Sequence, residues 1–409
     1  MSRPAIGILI TAVENVPTLS GWQAGPLPVD WPYGVIGREQ RETYFESRIA
    51  ARIYDEHRRS WRAAPAWPEA DDIATPRVIE MLLTGAEDAP GSAALIVIHV
   101  ELRGPDPVAA MHALVGLGPA GLPDGPGRLR PYIERIVPGC TFATSRARAF
   151  GIALETTDAD RAPVIPGRVG EGWSPEEEEL FRLASSTPAG GPVGFPLHPA
   201  ARDEVLESFV PLSQDWEALV LRDGAGFRGL RAPTEDPRDF FRFAEAYVRT
   251  IYLDVFLVGE VQRDWLARLA DDVAAVGDPT RAPKQLAALE HELTTFRNTF
   301  GWQHVTRHGH ASDLLAAYRR QHRLDELGDQ VTEKLKDFNE QIRTEAATRQ
   351  SVALERLAYL GLPFAIALPV GAALEVGPWG ERVSIIVAVL VVAAIANEKG
   401  WLDVPTDDA

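Results

Sequence analysis

The chain has 409 residues and a formal net charge of −17, with 41 Lys and Arg against 58 Asp and Glu. This length allows two or three domains. The acidic balance argues against nucleic acid as the main partner, because phosphate neutralisation needs a basic surface. Cys140 is the only cysteine, which excludes an internal disulfide and a CxxC metal or redox site.

Residues 1–232 alternate strand-like and helix-like segments and predict an α/β domain with a mixed sheet. Ala5–Val13 and Leu95–Leu102 are β-branched apolar runs, typical of strands covered on both faces. Between them, Arg38–Trp61 has apolar residues at helical spacing, and Asp106–Leu117 predicts a further short helix.

The later part of this domain carries turn and cap signals. Phe142–Thr144 and Phe150–Glu155 could pair as strands, and a hairpin is predicted around Asp223-Gly224. Another helix is predicted by a capping box, formed by Ser174, Pro175 and Glu177.

Residues 233–356 predict a helical domain. Asp239–Val276 and Pro283–Phe300 should each form a helix. The first contains the apolar run Ile251–Gly259, where Asp254 favours a buried core helix over a membrane span. Ser312–Arg356 then predicts one long stalk helix of about 45 residues, or roughly 68 Å.

The stalk helix has an apolar seam that repeats about every eleven residues, which favours a straight or slightly right-handed bundle. We expect the stalk to self-associate into a homo-oligomer or to pack on the preceding helices through these residues: Leu324, Leu327, Val331, Leu335, Phe338 and Ile342.

Residues 357–397 predict a transmembrane hairpin. Leu357–Val376 is long enough to cross a hydrocarbon core of about 30 Å, and Val383–Ala396 follows between Trp379 and Trp401. The alternative is a hydrophobic hairpin buried in a protein core. No signal peptide precedes the hairpin, so we expect a multi-pass protein of the cell inner membrane, in contact with the lipid bilayer. Its two termini, including an acidic tail at 398–409, should be cytoplasmic.

Small residues recur along the first predicted span, and such stripes allow helices to approach closely. They are candidates for membrane packing or for lining a pore: Gly361, Ala365, Pro369, Gly371 and Ala373.

Three histidines, His304, His308 and His310, are the best candidates for metal ligands. The alternative is a polar corner between helices whose histidines cap carbonyl groups. His99 lies mid-strand and is expected to be a hydrogen-bonded core residue, and Cys140 a buried, small apolar residue. No catalytic motif or phosphate-binding loop is found, so neither enzyme activity nor a cofactor is expected.

The predicted fold class is therefore an N-terminal cytoplasmic α/β domain, an all-α stalk with a long helix, and a C-terminal two-helix transmembrane hairpin. This layout resembles the CorA-type divalent-cation channels. The Gly-Met-Asn motif of that family is absent from the corresponding stretch, Glu375–Gly380, so the resemblance covers architecture only.

The C-terminal half is similar to the CASPASE/TPR-repeat-associated (CATRA) proteins of bacterial conflict systems. The stretches that carry this resemblance are Tyr247–Gln262, Phe296–Leu324 and the hairpin. It implies a component of a conflict or antiviral defence system that works beside a caspase-like protease in trans. Two functions follow: an oligomeric, channel-like effector controlled by its cytoplasmic domain, or a passive membrane-anchored adaptor or scaffold for the caspase-like partner.

Overall fold

A computed structural model describes residues 5–17, 20–84, 92–104, 106–116, 128–142, 148–156, 172–187, 198–236, 238–301 and 305–373, with the isolated residues 383, 386–387, 389–391 and 394. The chain divides into two compact units. Unit 1 comprises Met1–Ala274 and Leu289–Thr332, and unit 2 comprises Ala275–Ala288 and Glu333–Ala409. All of the described strands belong to unit 1.

Most of the described strands join one mixed sheet. Its order is β10-β11-β12-β9-β1-β7-β6-β5-β2, and β8 also pairs with β1. Only β9 and β12 are parallel among the described pairs, and β3 and β4 form a separate hairpin. The strands are β1 (Ile6–Val16), β2 (Gln23–Ala24), β3 (Val29–Trp31), β4 (Gly34–Ile36), β5 (Arg59–Ala63), β6 (Ala74–Leu83), β7 (Ser92–Leu102), β8 (Thr141–Phe142), β9 (Phe150–Thr156), β10 (Phe209–Ser213), β11 (Trp216–Leu221) and β12 (Gly224–Gly229).

The helices flank the sheet in unit 1 and dominate the later part of the chain. The described helices are α1 (Arg38–Glu42), α2 (Ser47–Ile53), α3 (Pro107–Val115), α4 (Leu129–Ile136), α5 (Pro175–Ser185), α6 (Pro199–Leu206), α7 (Phe240–Tyr247), α8 (Leu253–Ala274), α9 (Pro283–Thr299), α10 (Gly309–Gln321) and α11 (Leu324–Ala373). A π-helical turn, Val248–Tyr252, joins α7 to α8.

Both faces of the central strands are covered, as their apolar runs predict. β1 and β7 pair antiparallel with Ile8 opposite His99, and side chains alternate between the two faces of the sheet. Ile98 faces a core that includes Met111 of α3 and Ile133 of α4. The opposite face, which carries His99, packs against α8 and the elements beside it.

Some predicted elements differ from the structure. The Arg38–Trp61 segment was expected to be helical throughout, but it ends in strand β5, which pairs antiparallel with β6. The buried ion pairs of Arg59 hold this strand in place. In addition, β8 and β9 both pair with β1, rather than with each other.

The predicted stalk helix is interrupted at one residue. Arg323 has a φ of 49°, a left-handed conformation that ends a helix. The segment therefore forms two helices, α10 and α11, and the second runs for 50 residues.

The predicted transmembrane hairpin is wrong. In the part of the chain that the structure describes, none of the helices has both the length and the apolar character needed to cross a membrane. Leu357–Ala373 forms the end of α11, whose preceding turns carry charged residues as far as Glu355 and Arg356, whereas a span needs about 20 consecutive apolar residues. Much of the second predicted span, Val383–Ala396, lies outside the described residues. The inner-membrane, multi-pass localisation, which depended on the hairpin, is wrong as well.

Close packing of α8 on α10 gives a test of this fold. A Cβ atom at Gly259 would lie 2.6 Å from Cδ1 of Tyr318, which is fully buried and whose hydroxyl donates to Glu260 at 2.7 Å. We expect Gly259→Ala to lower the free energy of unfolding by about 1–3 kcal/mol through overpacking, measured by urea denaturation.

Gly328 provides the matched control, because it also lies in a helix but has more space around it. A Cβ atom added at Gly328 would have its nearest side-chain atom, Cδ2 of Leu266, at 3.9 Å. Gly328→Ala should raise the free energy of unfolding by about 0.5–1 kcal/mol. Equal effects of the two substitutions would contradict the close approach of Gly259 to Tyr318.

Candidate functional site

A network of ionised side chains is buried between α8, α1 and the sheet. Asp254 of α8 accepts hydrogen bonds from Arg41 of α1 at 3.1 Å and from Arg59 of β5 at 2.6 Å. Tyr54 donates to the same carboxylate at 2.7 Å. These side chains are fully buried, so each charge depends on its partners for the stabilisation that water would otherwise provide.

The network continues to Glu80 on β6. Arg59 donates to Oε2 of Glu80 at 2.8 Å, and the backbone N–H of Leu27 donates to the same oxygen at 3.1 Å. Burial alone would raise the pKa of Glu80, but Arg59 and the hydrogen bond from His99 outweigh burial, so this pKa lies well below its ordinary value. Two arginines, Arg41 and Arg59, therefore lie against two acidic side chains, Asp254 and Glu80.

His99 connects this network to a cleft. Its Nε2 lies 2.8 Å from Oε1 of Glu80, and an ionised carboxylate can only accept, so Nε2 carries the proton. Burial lowers the pKa of His99, and the hydrogen bond with Glu80 offsets this only in part. At neutral pH, Nδ1 is consequently a bare acceptor, and it has no hydrogen-bond partner among the described residues.

The cleft has a volume of about 620 Å³ and is lined by residues of unit 1. This size is within the range of pockets for small organic ligands. One wall comes from the end of the sheet and includes His99, which is 1% exposed. The other walls are the β3–β4 hairpin, with Trp31, and the α7 region with its π-helical turn.

Arginines supply most of the charge in the cleft: Arg77, Arg238, Arg242 and Arg249. Arg77 pairs with Glu101, and Arg249 approaches Glu245 at 3.5 Å. The structure records no hydrogen bond or ion pair between the side chains of Arg238 or Arg242 and any described residue. Three acidic residues also line the cleft: Glu101, Glu245 and Asp30. Arginine forks suit carboxylate and phosphate groups, so the cleft is suited to an anion.

The π-helical turn brings the cleft and the network together. Thr250 stabilises it by donating to the carbonyl of Ala246 at 2.6 Å. Arg249, inside the turn, lines the cleft, and Asp254 follows shortly after the turn. Single π-helical turns are often found at functional sites.

Another cleft of unit 1, of about 580 Å³, lies beside Trp265 and Glu292. There the indole N–H of Trp265 donates to Glu292 at 3.0 Å. The cleft beside His99 is the stronger candidate, because it combines a deeply buried acceptor with arginines that have no partner among the described residues.

The seam residues predicted on the long helix differ in their exposure. Leu324, Val331, Leu335 and Phe338 are buried. Two others, Leu327 and Ile342, are half-buried. Their predicted role in self-association stays a prediction.

The predicted metal ligands are only partly described, since His304 lies outside the described residues. The rings of His308 and His310 have centroids 5.9 Å apart. Burial lowers the pKa of His308, and His310 adds to this. Among described residues, no group of three or more His, Cys, Asp or Glu side chains is placed to hold a metal ion.

The other predicted candidates do not extend the site. Gly361, Ala365, Pro369, Gly371 and Ala373 lie within α11, but their side chains are outside the described part of the structure. Cys140 is buried, and burial raises the pKa of its thiol, with a further contribution from Glu134. A raised pKa disfavours the reactive thiolate.

No protein-family model matches the chain, and comparison with curated proteins and with solved structures found no match.

Sequence reasoning singled out His99 and Asp254 but assigned both to the core. It missed the cleft arginines on α7 and in the π-helical turn. The available signal was a histidine within the apolar run of β7, since a buried imidazole has two ring nitrogens that each need a hydrogen-bond partner.

The buried network predicts a large stability effect. Asp254→Asn removes the charge that both Arg41 and Arg59 face, and loss of one partner from a buried ion network costs about 3–5 kcal/mol. Asp203→Asn is the control, because that carboxylate pairs with Arg202 while 87% exposed, and surface substitutions change stability by about 0.5 kcal/mol or less. Similar losses in urea denaturation for both variants would show that the network does not carry this stability.

His99 predicts a pH dependence. Its folded pKa lies below the ordinary value of 6.5, so below that pH the unfolded chain binds a proton that the folded chain does not. Stability should be complete above about pH 6.5 and decrease as the pH falls towards 5. His99→Gln keeps a donor for Glu80 but cannot titrate, so its stability should decrease less over this interval. Parallel stability curves from denaturation at each pH would contradict the assignment.

Proposed function

We propose that the chain is a sensing component that binds a small organic anion in the cleft of unit 1 and acts through a partner protein. The observation that carries this proposal is one ligand-sized cleft that joins several arginines with a buried histidine nitrogen, which has no partner among the described residues. The lining carries four arginines and three carboxyl groups, a small excess of positive charge in a chain of net charge −17.

The arrangement supports sensing because the cleft shares His99 with the buried network. A ligand that contacts Nδ1 also touches a side chain that Glu80 orients, and Glu80 in turn holds Arg59. Binding can therefore favour one arrangement of the network and of α8, and a ligand shifts a conformational equilibrium only through such differential contacts.

The similarity to CATRA proteins supports placing this sensing role in a bacterial conflict or defence system, with a caspase-like protease as the partner in trans. A scaffold function is the second candidate. It is favoured by large apolar side chains exposed on α11, Val352, Leu354 and Leu357, of which Leu357 is 64% exposed. Apolar positions of this kind suit self-association or a helical partner.

Anion binding is tested by titrating the full chain with inorganic phosphate, AMP and 4-hydroxybenzoate, using calorimetry and thermal unfolding. We expect at least one probe to bind, and the double variant Arg238→Ala/Arg242→Ala to bind it at least about tenfold more weakly, because a charge-assisted hydrogen bond contributes about 1.5–3 kcal/mol.

Arg307→Ala is the control for a general loss of positive charge, because Arg307 is 66% exposed and contacts Glu46 instead of lining the cleft. It should bind like the wild type. Absence of binding by all three probes, or equal binding by the double variant, would contradict the proposed function.

A further inference from the structure

One residue of the cleft lining, His99, has a ring nitrogen that can still accept a hydrogen bond. Nε2 of His99 is hydrogen-bonded to Glu80, and Nδ1 is a buried atom that has no partner among the described residues. The groups that act electrostatically on His99 are Glu80 from β6, Arg249 from the π-helical turn and Arg41 from α1. Both arginines oppose a second proton on the ring. A ligand that reaches this point must therefore donate, through a hydroxyl or an amino group.

The wall opposite the sheet is aromatic. Trp31 lines the cleft and is held by ring contacts with Phe243 at 5.7 Å and with Tyr247 at 6.4 Å. Val29 and Ala246 add apolar surface on the same side. An indole fixed in this way is a platform for a planar ring, and stacking of a base on an aromatic side chain is favourable and tolerant of base identity.

The cations lie on α7 and its continuation. Arg242 is exposed and Arg249 half-buried, and Arg238 adds a third guanidinium at the start of this region. Several arginines around one cleft match the oxygens of a phosphate group, which guanidinium forks bind in pairs.

We propose that the ligand is a nucleoside phosphate, whose base lies against Trp31, whose phosphate binds the arginines of α7 and the π-helical turn, and whose hydroxyl or amino group donates to Nδ1 of His99. This assignment rests on the proposed function and names its ligand class. It makes His99 the specificity-determining residue, because only a donor satisfies the buried acceptor.

The test compares AMP with two analogues that each lack one set of donors. 2′,3′-Dideoxyadenosine 5′-monophosphate lacks the ribose hydroxyls, and purine riboside 5′-monophosphate lacks the amino group. We expect one analogue to bind the wild-type chain about tenfold more weakly than AMP in calorimetry, because an unpartnered buried acceptor loses its hydrogen bond.

Two substitutions at His99 separate specificity from stability. His99→Gln can reach Glu80 in the place of Nε2 but has no acceptor at the position of Nδ1, so the preference for AMP over that analogue should disappear. His99→Asn can place its oxygen near the position of Nδ1 and should retain part of the preference. His57→Gln, at an exposed turn, is the control and should bind like the wild type.

The outcomes distinguish the two proposals. If all three nucleotides bind equally and lose affinity in Arg238→Ala/Arg242→Ala, the hydrogen bond to His99 is refuted and anion binding stands. If affinity rises on acidification through about pH 6 and does not depend on the donors, a protonated His99 binds an anionic oxygen, which also refutes the proposal. If phosphate or 4-hydroxybenzoate binds while no nucleotide does, the ligand class is wrong. If no probe binds, the proposed function fails as well.

Discussion

The structure of unit 1 depends on Asp254. Its carboxylate accepts hydrogen bonds from Arg41, Arg59 and Tyr54, which lie 213, 195 and 200 positions away in the sequence. It therefore fixes α8 against the sheet and against the α1–α2 region at one point. A buried ion pair is not in itself more stabilising than an apolar contact. Because water does not solvate these buried charges, however, conformations of the chain that separate them are strongly disfavoured. We infer that the network acts mainly by excluding other packings of α8.

The same constraint shapes the cleft. Glu80 stays ionised because Arg59 is held by Asp254 on its other side, and an ionised Glu80 determines which nitrogen of His99 carries the proton. Which ring nitrogen of His99 is left as an acceptor is thus set by charges that lie outside the cleft. In the proposed complex, a ligand-binding group at the end of such a chain of hydrogen bonds is preoriented, which reduces the entropy that binding must overcome. The network and the cleft therefore share one residue, His99.

Local patterns in the sequence predicted much of the fold. The apolar runs located β1 and β7, the capping box located α5 at Pro175–Ser185, and the turn signal located the β11–β12 hairpin. The site was not predictable in the same way, because its contacts join residues 213 and 195 positions apart, and no local period records such pairs. The membrane prediction failed for a related reason. Apolar length measures how strongly a segment avoids water, but it does not show whether the segment continues a polar helix such as α11.

The π-helical turn explains how one helix serves both the network and the cleft. Arg249 and Asp254 are five residues apart, and in a regular α-helix with 3.6 residues per turn such positions point in clearly different directions. A π-helical turn closes its hydrogen bonds between residues five apart, so it brings these two positions closer to the same side. Arg249 can then line the cleft while Asp254 points into the network beside it. The π-helical turn interrupts the regular α-helical hydrogen bonding between α7 and α8. Its presence there fits a segment whose geometry is set by function rather than by helix stability.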